Sequence, residues 1–285
     1  STFITGDDGI VFASGNTNPN RVNSPGLPVT DVLVSNVTIS SKSCAIKWEA
    51  IDFGKCNHGN LQDMVIRDVK IFNSSRGIGF QQRNGHGNIT NISVSNVEIK
   101  TRYPIGTNWW GSAEPIWITN IPTTEAEEAT LGTISNVNCT NITIVSENGI
   151  LLSGIGQPIG PIRLKNVSLT LVDTLSNTTC RKGLPGSRTG CTDYRPVTDV
   201  HPPLPRDGVL LGNTTGVRLE GAGSVELDDM SIVYVVSKHG TRPSYWSNRC
   251  VDTIQLPKTM DPRHQAFAVN SDGFNRASCS PEVIR

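Results

Sequence analysis

The chain has 285 residues, enough to bury a substantial hydrophobic core in one large domain or two small ones. Its 25 Lys and Arg residues balance its 25 Asp and Glu residues, and this zero net charge argues against a nucleic-acid-binding protein and against attachment to an anionic membrane by charge alone. The apolar runs are far shorter than the roughly 20 residues that a membrane-spanning helix needs, which predicts a soluble protein without a membrane span.

Several segments repeat one template, in which an Asn or Asp interrupts a strictly alternating apolar and polar pattern. The clearest copies are 32–39, 64–71, 92–99 and 162–169, while 133–144 is a stretched copy and 225–232 a degenerate one. The aligned positions are Asn36, Asp68, Asn96, Asn141 and Asn166, at spacings of 32, 28, 45 and 25 residues. A second short apolar strand follows nine or ten residues later, at 43–48, 77–80 and 148–152.

This repetition predicts an all-β fold, a right-handed parallel β-helix built of stacked coils. Alternate apolar side chains would point into a narrow interior, and each coil would stack on the next at about 4.8 Å. The repeated Asn suits a left-handed backbone conformation with side-chain-to-backbone hydrogen bonds. A β-sandwich is the structural alternative, but its strands need not repeat an Asn at a fixed phase.

The coils are expected to occupy residues 1–238, with loop insertions at 101–113, 122–130 and 174–206 that shape a groove or a partner contact. Beyond the coils the pattern fades. Residues 239–285 are therefore expected to form an irregular C-terminal tail that caps the last coil.

Seven cysteines and nine Asn-X-Ser/Thr sequons indicate an oxidising, glycosylating secretory route. Cys180 with Cys191, Cys250 with Cys279 and Cys44 with Cys56 are possible disulfide pairs, which would leave Cys139 buried or unpaired. No Cys or His spacing indicates a metal site. An Asn-Val-Thr-Ile strand also generates sequons by chance, so the strand positions have a structural alternative. The candidate glycosylation sites are Asn36, Asn73, Asn88, Asn91, Asn138, Asn141, Asn166, Asn177 and Asn213.

The segment Thr-Gly-Asp-Asp-Gly-Ile-Val-Phe-Ala-Ser at 5–14 resembles the catalytic coil region of glycoside hydrolase family 28, the polygalacturonase-like pectin hydrolases. The resemblance continues through the template strands and covers roughly residues 1–172. It implies a right-handed parallel β-helix that hydrolyses a polysaccharide with inversion and without a cofactor. Further similar segments are Ala45-Ile-Lys47, Ser75-Arg-Gly-Ile-Gly79, 88–101, Trp109-Trp-Gly-Ser-Ala-Glu-Pro-Ile116 and Ser146-Glu-Asn-Gly149.

Asp7 and Asp8 match the family's aspartate pair, of which one carboxyl protonates the glycosidic oxygen while others activate water. The resemblance places a third aspartate on the preceding coil, upstream of Ser1, where the sequence has either a processed terminus or an arbitrary start. Such chemistry needs carboxyls that are separated and that differ in pKa. From the residues alone, Gly-Asp-Asp also suits a non-catalytic turn, in which the two aspartates form hydrogen bonds with backbone groups between coils.

The expected substrate-binding residues depart from the family pattern. Residues 42–44 read Lys-Ser-Cys where the family has Gly-His-Gly, and residues 79–81 read Gly-Phe-Gln where it has Arg-Ile-Lys. Lys47 and Arg83 are expected to replace the missing cations in part, beside Gln81. Trp109 and Trp110 are expected either to stack on a sugar ring or to anchor a loop by burial. Glu114, like Glu49, is an alternative acid.

The primary hypothesis is a secreted glycoside hydrolase-like protein that acts on a pectin-like or other cell-wall polysaccharide through Asp7 and Asp8. The alternative is a non-catalytic structural glycoprotein of an extracellular filament or wall. In that alternative, the N-terminal coil pairs with another subunit, because an open strand edge is prone to pairing. A carbohydrate-binding module that uses Trp109 and Trp110 is a third hypothesis.

Overall fold

The fold was analysed in a computed structural model, which describes residues 1–14, 26–51, 59–83, 85–102, 111, 113–120, 131–154, 157, 159–172, 216–220, 223–235, 246–249, 253–255 and 283–284. These residues contain sixteen β-strands. The strands are β1 (Thr2–Thr5), β2 (Ile10–Ala13), β3 (Val29–Ser41), β4 (Cys44–Ile51), β5 (Leu61–Ser74), β6 (Arg76–Arg83), β7 (Ile89–Thr101), β8 (Ile116–Asn120), β9 (Ile134–Ser146), β10 (Ile150–Ser153), β11 (Ile162–Val172), β12 (Val217–Glu220), β13 (Ser224–Val235), β14 (Trp246–Arg249), β15 (Thr253–Gln255) and β16 (Val283–Ile284).

The strands form two parallel sheets between which the chain alternates. Sheet A has nine strands in the order β1-β3-β5-β7-β9-β11-β13-β15-β16, and sheet B has seven in the order β14-β12-β10-β8-β6-β4-β2. From β1 to β15, each strand of sheet A pairs in parallel with the strand two positions along the chain. One strand of sheet A and the next strand of sheet B therefore make one repeat, and this pairing is consistent with a parallel β-helix.

The expectation of an all-β fold is confirmed for the described residues. All strand pairs among these residues are parallel, so the strands do not form an antiparallel sandwich. No helix that could cross a membrane is found among the described residues.

The register confirms the repeated template. Val32 pairs with Met64 and Met64 with Ile92, so equivalent apolar positions lie one above another. The short second strands that the sequence predicts are found as β4, β6 and β10. Alternation then sends one row of side chains from each strand into a shared core, because successive residues of a strand face opposite sides of its sheet.

Sheet B contributes an aromatic column to this core. Phe12 lies beside Trp48, with ring centroids 5.1 Å apart, and Trp48 stacks on Phe80 at 4.4 Å with an interplanar angle of 6°. The register aligns the three positions in β2, β4 and β6. Parallel in-register pairing thus places identical classes of side chain in contact along the stack.

The repeated Asn and Asp residues adopt the left-handed conformation that the sequence predicts, with φ between 50° and 58°. Their side chains bond from one repeat to the next. The Nδ2 atom of Asn96 donates to Oδ1 of Asp68 at 3.0 Å, Asn141 to Asn96 at 3.1 Å, and Asn166 to Asn141 at 2.8 Å. We call this column, with Asn36 at one end and Asp229 at the other, the asparagine ladder.

In the described part of the chain, three short strands lie within residues 239–285, the predicted C-terminal tail. These strands, β14, β15 and β16, pair with β12, β13 and β15 respectively. Stacking therefore continues past residue 238. The loop insertions 122–130 and 174–206 lie outside the described residues, as does most of 101–113.

Of the possible disulfide pair Cys44 and Cys56, the structure describes Cys44 alone. Cys44 is a free, buried thiol whose Sγ donates to the carbonyl of Ile46 at 3.1 Å. Cys139 is also free and buried, inside β9, as expected. The remaining cysteines of the predicted pairs, Cys56, Cys180, Cys191, Cys250 and Cys279, lie outside the described residues.

Candidate functional site

The two aspartates predicted to be catalytic lie in the turn between β1 and β2. Asp7 is exposed, and its Oδ1 accepts a hydrogen bond from the backbone N–H of Asp8 at 2.8 Å. The Asp7 carbonyl accepts from the hydroxyl of Ser41 at 2.7 Å, which ties the turn to the end of β3. A Cβ on Gly9 would lie 2.5 Å from the carbonyl oxygen of Ala45, so the close approach of the two repeats requires glycine there.

Asp8 links this turn to β4. Its Oδ1 accepts from the backbone N–H of Cys44 at 2.8 Å, and its Oδ2 lies 3.3 Å from Nζ of Lys47. The Lys47 ammonium also lies 2.6 Å from Oε2 of Glu49. One lysine thus bridges two carboxylates from neighbouring repeats, and only 15–18% of each of the three side chains is exposed.

The neighbouring carboxylates of Glu49 and Asp8 favour the charged form of Lys47. Burial acts to lower the pKa of Lys47, but the charges of Glu49 and Asp8 outweigh it and raise the pKa above its ordinary value. The ammonium therefore stays protonated across the neutral range. We call Asp7, Asp8, Lys47 and Glu49 the charge cluster.

A second, fully buried ion pair lies next to the charge cluster. Nε of Arg76 is 3.2 Å from Oε2 of Glu114, and these side chains are 3% and 0% exposed. The Arg76 guanidinium lies over the ring of Trp117, 3.8 Å from its centroid. A Cβ on Gly79 would lie 2.8 Å from Sγ of Cys44, so the missing side chain of Gly79 makes the room that Cys44 occupies.

The remaining predicted binding residues fall into three groups. Gln81 is buried and pairs in register with Glu49, directly beside the charge cluster. Glu114 is not available to a substrate in this structure, because its carboxylate is buried against Arg76. Arg83 ends β6, but its side chain lies outside the described part, as do Trp109 and Trp110 entirely.

The asparagines predicted to be glycosylated differ in the hydrogen bonds that their side-chain amides form. Asn91, Asn141 and Asn166 each donate Nδ2, the atom that would carry a glycan, to the preceding repeat. Asn138 donates a weaker bond of 3.4 Å to Asn136, and Oδ1 of Asn88 accepts from the N–H of Thr133. Asn36 and Asn73 are exposed with positive φ. Asn177 and Asn213 lie outside the described residues.

Two features of the repeats were not predicted from the sequence. Asp31, Asp63, Asn91 and Asn136 form a second left-handed column, five residues before the asparagine ladder on each strand. That constant offset is visible in the sequence and was a usable signal. The buried hydroxyls of Ser41, Ser74, Thr101 and Ser146 form a stack where sheet A turns into sheet B, and small Ser or Thr residues at a strand end give little signal by themselves.

Among the residues that the structure describes, no three His, Cys, Asp or Glu side chains are grouped in a way that could hold a metal ion. Comparison with known proteins found no family model, no curated protein and no solved structure that matches the chain.

Proposed function

We propose that the chain is a right-handed parallel β-helix of a secreted, glycoside hydrolase-like protein that acts on a cell-wall polysaccharide, pectin-like or other. The observation that carries the proposal is the contact between Asp8 and Lys47. One of these residues is predicted to be catalytic and the other to bind substrate. They come from different repeats and meet where the turn between β1 and β2 contacts β4.

The proposed mechanism is inverting hydrolysis with Asp7 and Asp8 in different roles. Asp8, which lies 3.3 Å from the ammonium of Lys47 and accepts a hydrogen bond from the N–H of Cys44, takes a proton from the attacking water. Asp7, exposed at the tip of the turn, gives a proton to the glycosidic oxygen. The water forms the new bond to the anomeric carbon as the bond to the leaving oxygen breaks.

Reducing-end release from a panel of cell-wall polysaccharides tests this proposal. We expect Asp8→Asn to lower the rate about 10²–10⁴-fold, the usual contribution of general acid–base groups. Asn keeps the size of the side chain and an oxygen that accepts from Cys44. The matched control is Asp229→Asn, the same chemical change at an exposed position in sheet A. Equal rates for wild type and a folded Asp8→Asn variant would contradict the role of Asp8.

The structural-glycoprotein alternative stays a prediction. The reducing-end assay on the same polysaccharides distinguishes this alternative from the hydrolase hypothesis, since a structural protein releases no reducing ends from any polysaccharide.

A further inference from the structure

We infer that the charge cluster selects a neutral polysaccharide and discriminates against polyuronates such as polygalacturonate. This inference rests on the proposed function and narrows its substrate class. A uronate ring differs from its neutral counterpart in carrying a carboxylate at C6, and a site that recognises this group needs a cation with bonding capacity to spare.

Lys47 has at most one donor to spare, and its single charge already faces two carboxylates. Its ammonium has three donors and already contacts Asp8 at 3.3 Å and Glu49 at 2.6 Å. A uronate carboxylate that reached Nζ would have to compete with these two carboxylates and would add another negative charge beside them. Like charges at such short distances cost free energy, most of all where the side chains are largely removed from water.

Arg76 is closed to a sugar as well. Its side chain is 3% exposed, pairs with Glu114 and lies over Trp117, so its charge is used inside the protein. Among the described side chains around the cluster, Lys42 is exposed in the neighbouring turn. Because Asp7 carries the proton that it gives to the glycosidic oxygen, Asp8 and Glu49 balance the ammonium groups of Lys42 and Lys47. An incoming polyanion therefore meets no net positive charge that would attract it.

The same arrangement suits neutral sugars. Carboxylate oxygens accept hydrogen bonds and cannot donate them, whereas every free hydroxyl of a neutral pyranose can donate one. Such bonds to an ionised acceptor are shorter and stronger than those between neutral groups. A sugar that presents hydroxyl groups to Asp8 and Glu49 therefore gains contacts that a uronate carboxylate cannot make.

A matched pair of substrates tests the inference on the full chain. Polygalacturonate is compared with the same polymer after chemical reduction of its C6 carboxylates to hydroxymethyl groups, by binding and by reducing-end release. We expect the reduced polymer to be preferred by at least about tenfold, the effect of one charge-assisted hydrogen bond or one like-charge contact. A preference for polygalacturonate would overturn the inference while leaving hydrolysis itself in place.

Lack of binding and of release with both polymers, and with every other neutral polysaccharide of the panel, would contradict the proposed function itself. The two failures are thus distinguishable.

The variant Glu49→Gln tests the part played by Lys47. Removing one of the two carboxylates frees bonding capacity on the ammonium, so we expect the preference for the reduced polymer to fall by about tenfold. The control is Glu98→Gln, which removes the carboxylate of the exposed pair with Lys70 on sheet A and should leave the preference unchanged. Thermal melting confirms that both variants fold, and a folded Glu49→Gln variant with wild-type preference would contradict the role of Lys47.

Discussion

Asn141 donates its side-chain amide to Oδ1 of Asn96 at 3.1 Å, although the two residues lie in separate repeats. Both residues have φ near 55°, a conformation that most residues with a side chain avoid. Asn and Asp tolerate it better than most other residues with a side chain, because their short polar groups can bond locally. The asparagine ladder therefore combines a backbone requirement with a side-chain bond, and both are satisfied by one residue type.

Replacing Asn141 with Ala should lower the free energy of unfolding by about 2–3 kcal/mol. Ala loses the bonds to Asn96 and Asn166, and its Cβ is strained at a φ of 56°. Urea unfolding measures the change. Asn138→Ala, in the same strand but outside the left-handed region, is the control and should cost less than half as much. Equal losses in the two variants would show that the ladder bonds and the left-handed backbone contribute nothing.

Trp48→Ala should destabilise the protein by about 3–5 kcal/mol, the cost of removing a buried aromatic side chain and leaving a cavity. Trp48 is fully buried between Phe12 and Phe80. The control is Leu33→Ala, because Leu33 is 58% exposed on sheet A and its truncation leaves no cavity. A shift of the urea midpoint for Trp48→Ala no larger than for Leu33→Ala would contradict the stacked core.

Glu114→Gln should cost about 3–5 kcal/mol, because it leaves the buried charge of Arg76 without its carboxylate. The exposed pair between Lys70 and Glu98 is the comparison, with side chains that are 56% and 63% exposed. Glu98→Gln should cost about 0–1 kcal/mol, since water screens exposed ion pairs. Denaturant unfolding of both variants measures the difference, and equal costs would rule out a buried ion pair at Arg76.

Cys44 and Cys139 should not react with iodoacetamide at pH 8 while the protein is folded. Burial is the main cause that raises the pKa of each thiol to about 12, so the reactive thiolate is absent well above neutral pH. In urea both thiols become exposed and should be labelled. Peptide mass spectrometry locates the label, and equal labelling rates of either residue at pH 8 with and without urea would contradict its burial.

The asparagine ladder and the alternation could be predicted because each is a local property of the sequence. An Asn at a fixed position within an alternating strand predicts a positive φ at that residue, as Asn96 and Asn141 show. The alternation on either side of the Asn predicts which face of the strand is buried. Parallel stacking then follows, since equivalent residues meet when repeats pair in register. The offset that marks the second column, as between Asn91 and Asn96, is equally local.

The contacts of the charge cluster could not be predicted in the same way. Lys47 meets Asp8 because the register aligns β2 with β4, and the lengths of the intervening segments do not determine this alignment. The pairing of Arg76 with Glu114 joins repeats across the insertion 101–113. The surroundings of Cys44 could not be predicted for a related reason. Its Sγ points into the space beside Gly79, and the direction of a side chain after a turn depends on the turn geometry.

Reducing-end release from the neutral, carboxyl-reduced polymer and from neutral cell-wall polysaccharides tests most directly whether Asp7, Asp8, Lys47 and Glu49 form a glycan-hydrolysing site. We expect release by the wild-type chain, a loss of about 10²–10⁴-fold in Asp8→Asn and wild-type rates in Asp229→Asn. The absence of release from every polysaccharide by a folded wild-type chain, or an undiminished rate in folded Asp8→Asn, would contradict it.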